Sequence, residues 1–155
     1  WYPRFRFAEA LLIAAEAAYE LGGTNKVKAV EYINRVRARG GIKELTESTI
    51  TFEHIVNEYR VEFAFEDHRW WDLRRWRLAH TVWNGVIDSP TAQMYSLFPY
   101  KVYAPGSPYD GKWAFEKSRS YMAPNARNFT MRCYYGSIDD GWINKNPKLV
   151  KNPLQ

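Results

Sequence analysis

A chain of 155 residues, 46% hydrophobic and 25% charged, has the balance of a globular domain or of a piece of a larger one, which excludes a disordered tail. The net charge of +5 permits contact with an anionic surface, but the Lys and Arg are scattered among carboxylates and not massed in a patch, which argues against a nucleic-acid binder. The single cysteine, Cys133, rules out an internal disulfide framework, no His or Cys spacing suits zinc, and no apolar stretch is long enough to span a bilayer.

From Phe7 to Leu21 the positions Phe7, Leu11, Ala14 and Ala18 recur at helical spacing, with many small alanines between them. Gly22-Gly23 ends this segment, and Thr24 or Asn25 is expected to cap a second helix running to about Arg39, with Ala29, Ile33 and Val36 on one face and Gly40-Gly41 closing it. So short a connection requires antiparallel packing. After a loop through Ser48, Thr51 is the expected N-cap of a third helix whose apolar stripe is Phe52, Ile55, Val56, Tyr59 and Phe63. A bend near Asp67-His68 and a fourth helical stretch from about Arg69 to Ala79 follow.

After Thr81 the periodicity dissolves, with prolines at 90, 99, 105, 108, 124, 147 and 153. The aromatic residues gather here, among them Tyr95, Phe98, Tyr103, Tyr109, Trp113, Phe115, Tyr121, Phe129, Tyr134 and Trp142. The expected architecture is therefore mainly α: four helical segments in residues 6–79, then a loop-rich, aromatic half over 81–155 packed on the helices.

Glu58, Glu62 and Glu66 stand four apart on one helix face, a spacing at which like charges repel by a few tenths of a kcal/mol per pair. Keeping three in a row implies cationic partners. Arg69, Arg74 and Arg75 follow directly beside Asp72, and Arg35 and Arg37 lie on the preceding helix, so a structural ion-pair network of Glu58, Glu62, Glu66, Arg69, Asp72 and Arg75 is expected. A carboxylate pair could also serve acid–base chemistry, but helix spacing alone is a weak sign of it. His54, His68 and His80 form no ligand motif, and there is neither a phosphate loop nor a nucleophile elbow. No catalytic residue, metal or cofactor is expected.

The stretch from Glu58 to Trp76, with Glu62, Phe65-Glu66, Arg69, Asp72-Leu73 and Arg75-Trp76, resembles the signature of the SusD/RagB family. Three further blocks agree in order: Arg6-Phe7-Ala8-Glu9, then Ile33-Asn34 with Val36-Arg37 and Arg39, then Asn146-Pro147, Leu149 and Asn152-Pro153. Asp67 stands where the family usually has Gly, Tyr59 where Arg is common, and Lys151 where Gln is frequent. The resemblance implies tetratricopeptide-like helix pairs and non-catalytic capture of oligosaccharides, or in some members peptides, at the outer membrane. It also implies a SusC-like TonB-dependent transporter as partner and a lipid anchor upstream. The chain opens on Trp1 and not Met, and is read as the C-terminal part of a longer protein. Alternatives are a helical-repeat scaffold that binds only a protein partner, and a glycan-active hydrolase. Flat rings suit the apolar face of a sugar and lose little side-chain entropy on binding. Tyr103, Tyr109 and Trp113, in a Pro- and Gly-rich loop, are the candidate ligand-binding residues.

Overall fold

The computed structural model describes residues 5–119 and 123–154, so Trp1, Tyr2 and Tyr121 lie outside the described residues. The chain divides after Asp72 into two compact units.

The first unit is helical: α1 (Phe7–Leu21), α2 (Lys26–Arg39) and α3 (Phe52–Glu62), with the start of α4 (His68–Arg75). α1 packs along α2 and also meets α3. Leu12, Ile33 and Ile55 are fully buried where the three helices meet, and Ala15 and Ala29 let them approach closely. Each such aliphatic side chain contributes about 1.5–3 kcal/mol by leaving water. Gly22 ends α1 at a φ of 66°, in the left-handed region glycine tolerates. A 3-10 turn, Gly23–Asn25, then leads into α2. Asn25 occupies the N-cap of α2, but its side chain makes no capping bond, contrary to the sequence expectation, because the 3-10 turn already supplies the backbone bonds there. Asn34 pins the following loop: its Nδ2 donates to the Leu45 carbonyl at 2.8 Å and its Oδ1 accepts from the Leu45 amide at 2.9 Å. Thr51 caps α3 in a reciprocal box, its hydroxyl accepting from the His54 amide while His54 Nδ1 accepts from the Thr51 amide.

Between α3 and α4 the chain turns through two left-handed residues, Phe65 (φ 66°) and Asp67 (φ 61°). Aspartate tolerates this conformation moderately; a bulky aromatic does not. Phe65 is also fully exposed, at 101% of its reference area, so no packing offsets the strain. Phe65→Asn is expected to stabilise the protein by about 0.5–1 kcal/mol, since Asn accepts left-handed geometry without glycine's entropic cost. A urea midpoint that stays put or falls would show the turn unstrained.

α4 stops at Arg75, short of the expected Ala79. Arg77 takes a φ of 60°, the Leu78 amide donates to the Leu73 carbonyl at 2.8 Å, and the Arg77 amide donates to Arg74 at 3.1 Å. This is a Schellman termination built on arginine where glycine is usual. A short helix, α5 (Ala79–Val82), follows.

The second unit corrects the expectation of an irregular half. Strands β1 (Tyr95–Lys101) and β2 (Trp113–Arg119) form an antiparallel hairpin in which Lys101 faces Trp113, Pro99 faces Phe115, Leu97 faces Lys117 and Tyr95 faces Arg119. A two-stranded ribbon has only edges, and outward-facing N–H groups on an edge can be replaced by proline without losing a ladder bond. Pro99 therefore punctuates nothing. A helix α6 (Asp140–Lys145) was likewise unforeseen; Asp139 caps it, accepting from the Gly141 amide at 2.8 Å. The hydrophobic centre of this unit is Leu73, Ala79, Trp83, Phe129 and Tyr134. In the closing block, Asn146 accepts from the Lys148 amide at 3.1 Å and Asn152 donates to the Gly136 carbonyl at 2.5 Å. Lys151, at the position where Gln is frequent, pairs with Asp140 at 2.8 Å.

Candidate functional site

Two constellations were singled out by sequence, the acidic stripe in the first unit and the three aromatics in the second. The stripe is an ion-pair lock centred on Arg6. Its Nε and Nη2 donate to the two carboxylate oxygens of Glu66, each at 2.9 Å, while Nη1 donates to Glu62 Oε1 at 2.8 Å. Nη2 also reaches the Glu62 backbone carbonyl at 2.9 Å, satisfying an otherwise orphaned acceptor at the end of α3. Glu62 receives a second guanidinium from Arg39 at 2.5 Å, and Glu58 one from Arg37 at 2.6 Å. The guanidinium of Arg6 further lies 5.1 Å from the centroid of the Phe63 ring, which stacks on His68 at 4.3 Å.

These contacts hold the Glu66 carboxyl below its ordinary range, chiefly through the hydrogen bond from Arg6, and push the Arg6 guanidinium up for the same reason. Both shifts favour the charged forms. A carboxylate held in its charged form by a two-pronged guanidinium is poorly suited to exchange protons with a substrate. The three carboxylates of the stripe are each engaged by an arginine. Among the described residues no cluster of His, Cys, Asp or Glu is arranged to hold a metal.

The partners given to Glu62 and Glu66 are Arg6 and Arg39, not the Arg69, Arg74 and Arg75 that sequence proximity suggested. Arg35 turns instead toward Phe7, its Cζ 5.4 Å from the ring centroid. Arg74 donates to the Tyr134 carbonyl at 3.1 Å, and Arg75 lies 4.3 Å over the Trp76 ring. Asp72 is buried in the chain. One signal for Arg6 was available: a cation at a helix N-terminus opposes the helix dipole, and such a residue usually has other work. A shallow groove of about 350 Å³ opens beside this lock, lined by Arg6, Arg35 and Arg39 with Phe7 and Leu11.

The three candidate aromatics come together at one end of the hairpin. Trp113 is the first residue of β2, and Tyr103 and Tyr109 belong to the loop that closes it. That loop is ordered by its own bonds: the Ala104 amide donates to Asp110 Oδ1 at 2.9 Å, the Lys112 amide to the Tyr109 carbonyl at 3.1 Å, and the Gly111 amide to the Val102 carbonyl at 2.9 Å. All three rings are exposed, Tyr103 at 88% and Tyr109 and Trp113 at 65% each. Tyr134 and Phe129, by contrast, are core residues: Phe129 meets Tyr134 edge-on at 4.8 Å, and the Tyr134 hydroxyl contacts His80 Nδ1 at 2.9 Å. The aromatic wealth of the second half therefore splits in two, a packed set and a displayed set. Composition alone could not divide them.

A helix-rich framework held by arginine–carboxylate locks, joined in sequence to a small antiparallel sheet that displays rings, defines the class of fold. Solved chains align with the fold: a SusD-like protein from Bacteroides fragilis aligns with 98% of this chain and 25% of its own length, with a TM-score of 0.69 at 27% identity. A SusD superfamily protein from Bacteroides vulgatus aligns over 98% of this chain and 27% of its own, with a TM-score of 0.57 at 22% identity, which bears on the fold alone. The SusD family model matches residues 1–154, and the chain belongs to that family. Among curated relatives, SusD-like protein P2 of Formosa agariphila is 36% identical over 101 residues, covering 57% of this chain and 20% of that protein. The starch-binding protein SusD of Bacteroides thetaiotaomicron is 33% identical over 107 residues, covering 64% of this chain and 18% of that protein. The chain thus spans about a fifth of the length of the curated relatives it matches.

Proposed function

We propose that this chain serves non-catalytic capture of oligosaccharides at the cell surface, with the displayed rings of Tyr103, Tyr109 and Trp113 as part of the contact. The observation that carries the reading is their exposure on an internally bonded hairpin in a chain of the SusD family, one relative of which is named for starch binding. Large rings left in water with no core to fill mark a binding surface. Rings held on a strand end and on a loop ordered by its own hydrogen bonds lose little freedom when a sugar face docks. The helical unit fits the role of framework. α1 leaves Ile13 exposed on the side away from its buried residues, as a helix does when the next element of a tetratricopeptide-like array covers it. Delivery to a SusC-like TonB-dependent transporter, an outer-membrane location through a lipid anchor, and peptides as a second ligand class belong to the same reading. No helix among the described residues is long and apolar enough to cross a membrane.

The test is a glycan titration of the complete protein and of its Trp113→Ala variant. Loss of one ring from the centre of a contact is expected to weaken binding by about tenfold, equivalent to ~1.4 kcal/mol. Unchanged affinity removes Trp113 from the site, and release of hydrolysis products would overturn the non-catalytic reading.

A further inference from the structure

We infer that the oligosaccharide this hairpin takes is anionic, bearing carboxylate or sulfate groups; the inference rests on the capture reading above and specifies its ligand class. Residues facing one another across an antiparallel pair, and every second residue along each strand, share one face. One face of the hairpin therefore carries, row by row, Lys101 with Trp113, Pro99 with Phe115, Leu97 with Lys117, and Tyr95 with Arg119. The other carries Phe98 with Glu116, Tyr100 with Ala114, and two serines. The charges of the two strands are thus sorted: three cations on one face, the sole carboxylate on the other.

None of the three cations faces another across the pair, so the sorting costs little by itself; what it provides is a basic face around exposed rings, to which an anionic group is attracted. Internal neutralisation is confined to one end of the face, where Asp88 attracts both Arg119 and Lys117. Arg119 has Asp88, with both carboxylate oxygens at 3.3 Å, and Asp88 also accepts from the Tyr95 hydroxyl at 2.5 Å. Lys117 rests its ammonium 4.0 Å over the Tyr95 ring. Neither Lys101 nor Lys117 makes an ion pair with a described residue. At ~3.3 Å of rise per residue, the Lys101 and Lys117 rows lie roughly 13 Å apart, with the Phe115 ring between them and Trp113 facing Lys101. Lys112, beside the loop ring Tyr109 at 5.5 Å, continues the pattern past the end of the strands.

The chemistry of such a face is specific. Rings receive the C–H side of a sugar, and ammonium groups flanking them receive charged substituents on the same chain. A neutral glycan would use the rings and take from the lysines only hydrogen bonds to uncharged oxygens, without the stronger ones that a carboxylate or sulfate accepts. A polyanion without apolar faces would use the lysines and gain little from Trp113 and Phe115.

The experiment compares polygalacturonate, a sulfated galactan, maltoheptaose and single-stranded DNA as probes for the complete protein, at 50 and 300 mM NaCl. Two variants, Trp113→Ala and Lys101→Gln/Lys117→Gln, are carried through, with circular dichroism confirming the fold of each. Polygalacturonate or the sulfated galactan is expected to bind, about tenfold or more weakly in the double-lysine variant and also more weakly without Trp113, with affinity falling as salt rises. Binding of maltoheptaose alone overturns the inference and leaves the capture reading standing. Binding of none of the glycans overturns that reading itself. Affinity for DNA equal to that for the acidic glycans, indifferent to Trp113→Ala, overturns the inference in favour of unselective polyanion attraction.

Discussion

Replacing Arg6 with alanine is expected to destabilise the helical unit by about 2–3 kcal/mol, a value reduced from the range for fully buried pairs because the Arg6 side chain retains 27% of its exposure. Four hydrogen bonds vanish together, and the loss is asymmetric. Glu62, whose side chain is only 9% exposed, keeps Arg39, while Glu66 loses both donors and the α3 terminus loses the donor to its last carbonyl. Arg6→Lys restores charge without the fork and should recover only part of the loss. The pH dependence supplies an independent check. Glu66 has its folded pKa depressed from 4.5, so its contribution is complete above that value and fades as pH falls through the lower folded one. Wild-type protein should therefore lose stability on acidification from about pH 5 to pH 3 more steeply than the Arg6→Ala variant. Urea midpoints at pH 7, 5 and 3 measure both effects; parallel acid limbs in the two proteins would remove Arg6 as the source of the depression.

Trp83→Ala is expected to cost about 3–5 kcal/mol, the range for deleting a large buried aromatic. Trp83 is nearly buried in the cluster of the second unit, with Phe129 at 6.1 Å and the Arg127 guanidinium 5.5 Å from its ring centroid. Its carbonyl also accepts from the Phe129 amide at 2.7 Å, and the neighbouring Gly85 amide donates to Arg127 at 3.0 Å. These bonds tie residues 83–85 to 127–129 across a gap in sequence that only packing bridges. Gly85 belongs to the same junction: its φ is 76°, and a Cβ there would meet Asn128 at 3.0 Å. Hydrogen exchange at the Phe129 and Gly85 amides should accelerate by two to three orders of magnitude in the variant, each order being about 1.4 kcal/mol. Retained protection at both would place the cooperative centre of this unit elsewhere.

The bounds of the first three helices were legible, though not every buried residue: α1 buries Leu12 and Ala15, which the spacing from Phe7 did not single out, and leaves Phe7 exposed. Apolar spacing from Phe7 to Leu21, the glycine pairs, and Thr51 ahead of an apolar stripe are local signals, and the observed α1, α2 and α3 begin and end where those signals lie. Family membership was legible too, because it is carried by residue types in order and not by their positions in space. The hairpin was not. Both strands are exposed on both faces, so the alternation of polar and apolar residues that reveals a half-buried strand is absent, and Pro99 disguised an edge position as a break. The early end of α4 rests on Arg77 adopting glycine's conformation, which its stacking 4.1 Å over the Tyr134 ring and its bond to the Tyr135 hydroxyl at 2.9 Å make tolerable.

By itself, then, the sequence determined that Glu58, Glu62 and Glu66 share a helix face and need cations, because helical spacing is a property of the backbone. Which arginines answer them was decided only by tertiary structure, since Arg6 stands 56 residues from Glu62 and no local rule reaches that far. The same holds for the aromatic half. Composition supplied the rings, whereas folding buried Trp83, Phe129 and Tyr134, left Tyr103, Tyr109 and Trp113 in water, and set three cations beside the exposed set on one face of a ribbon. Burial and strand register depend on what packs or pairs with a residue, and those partners are distant in sequence.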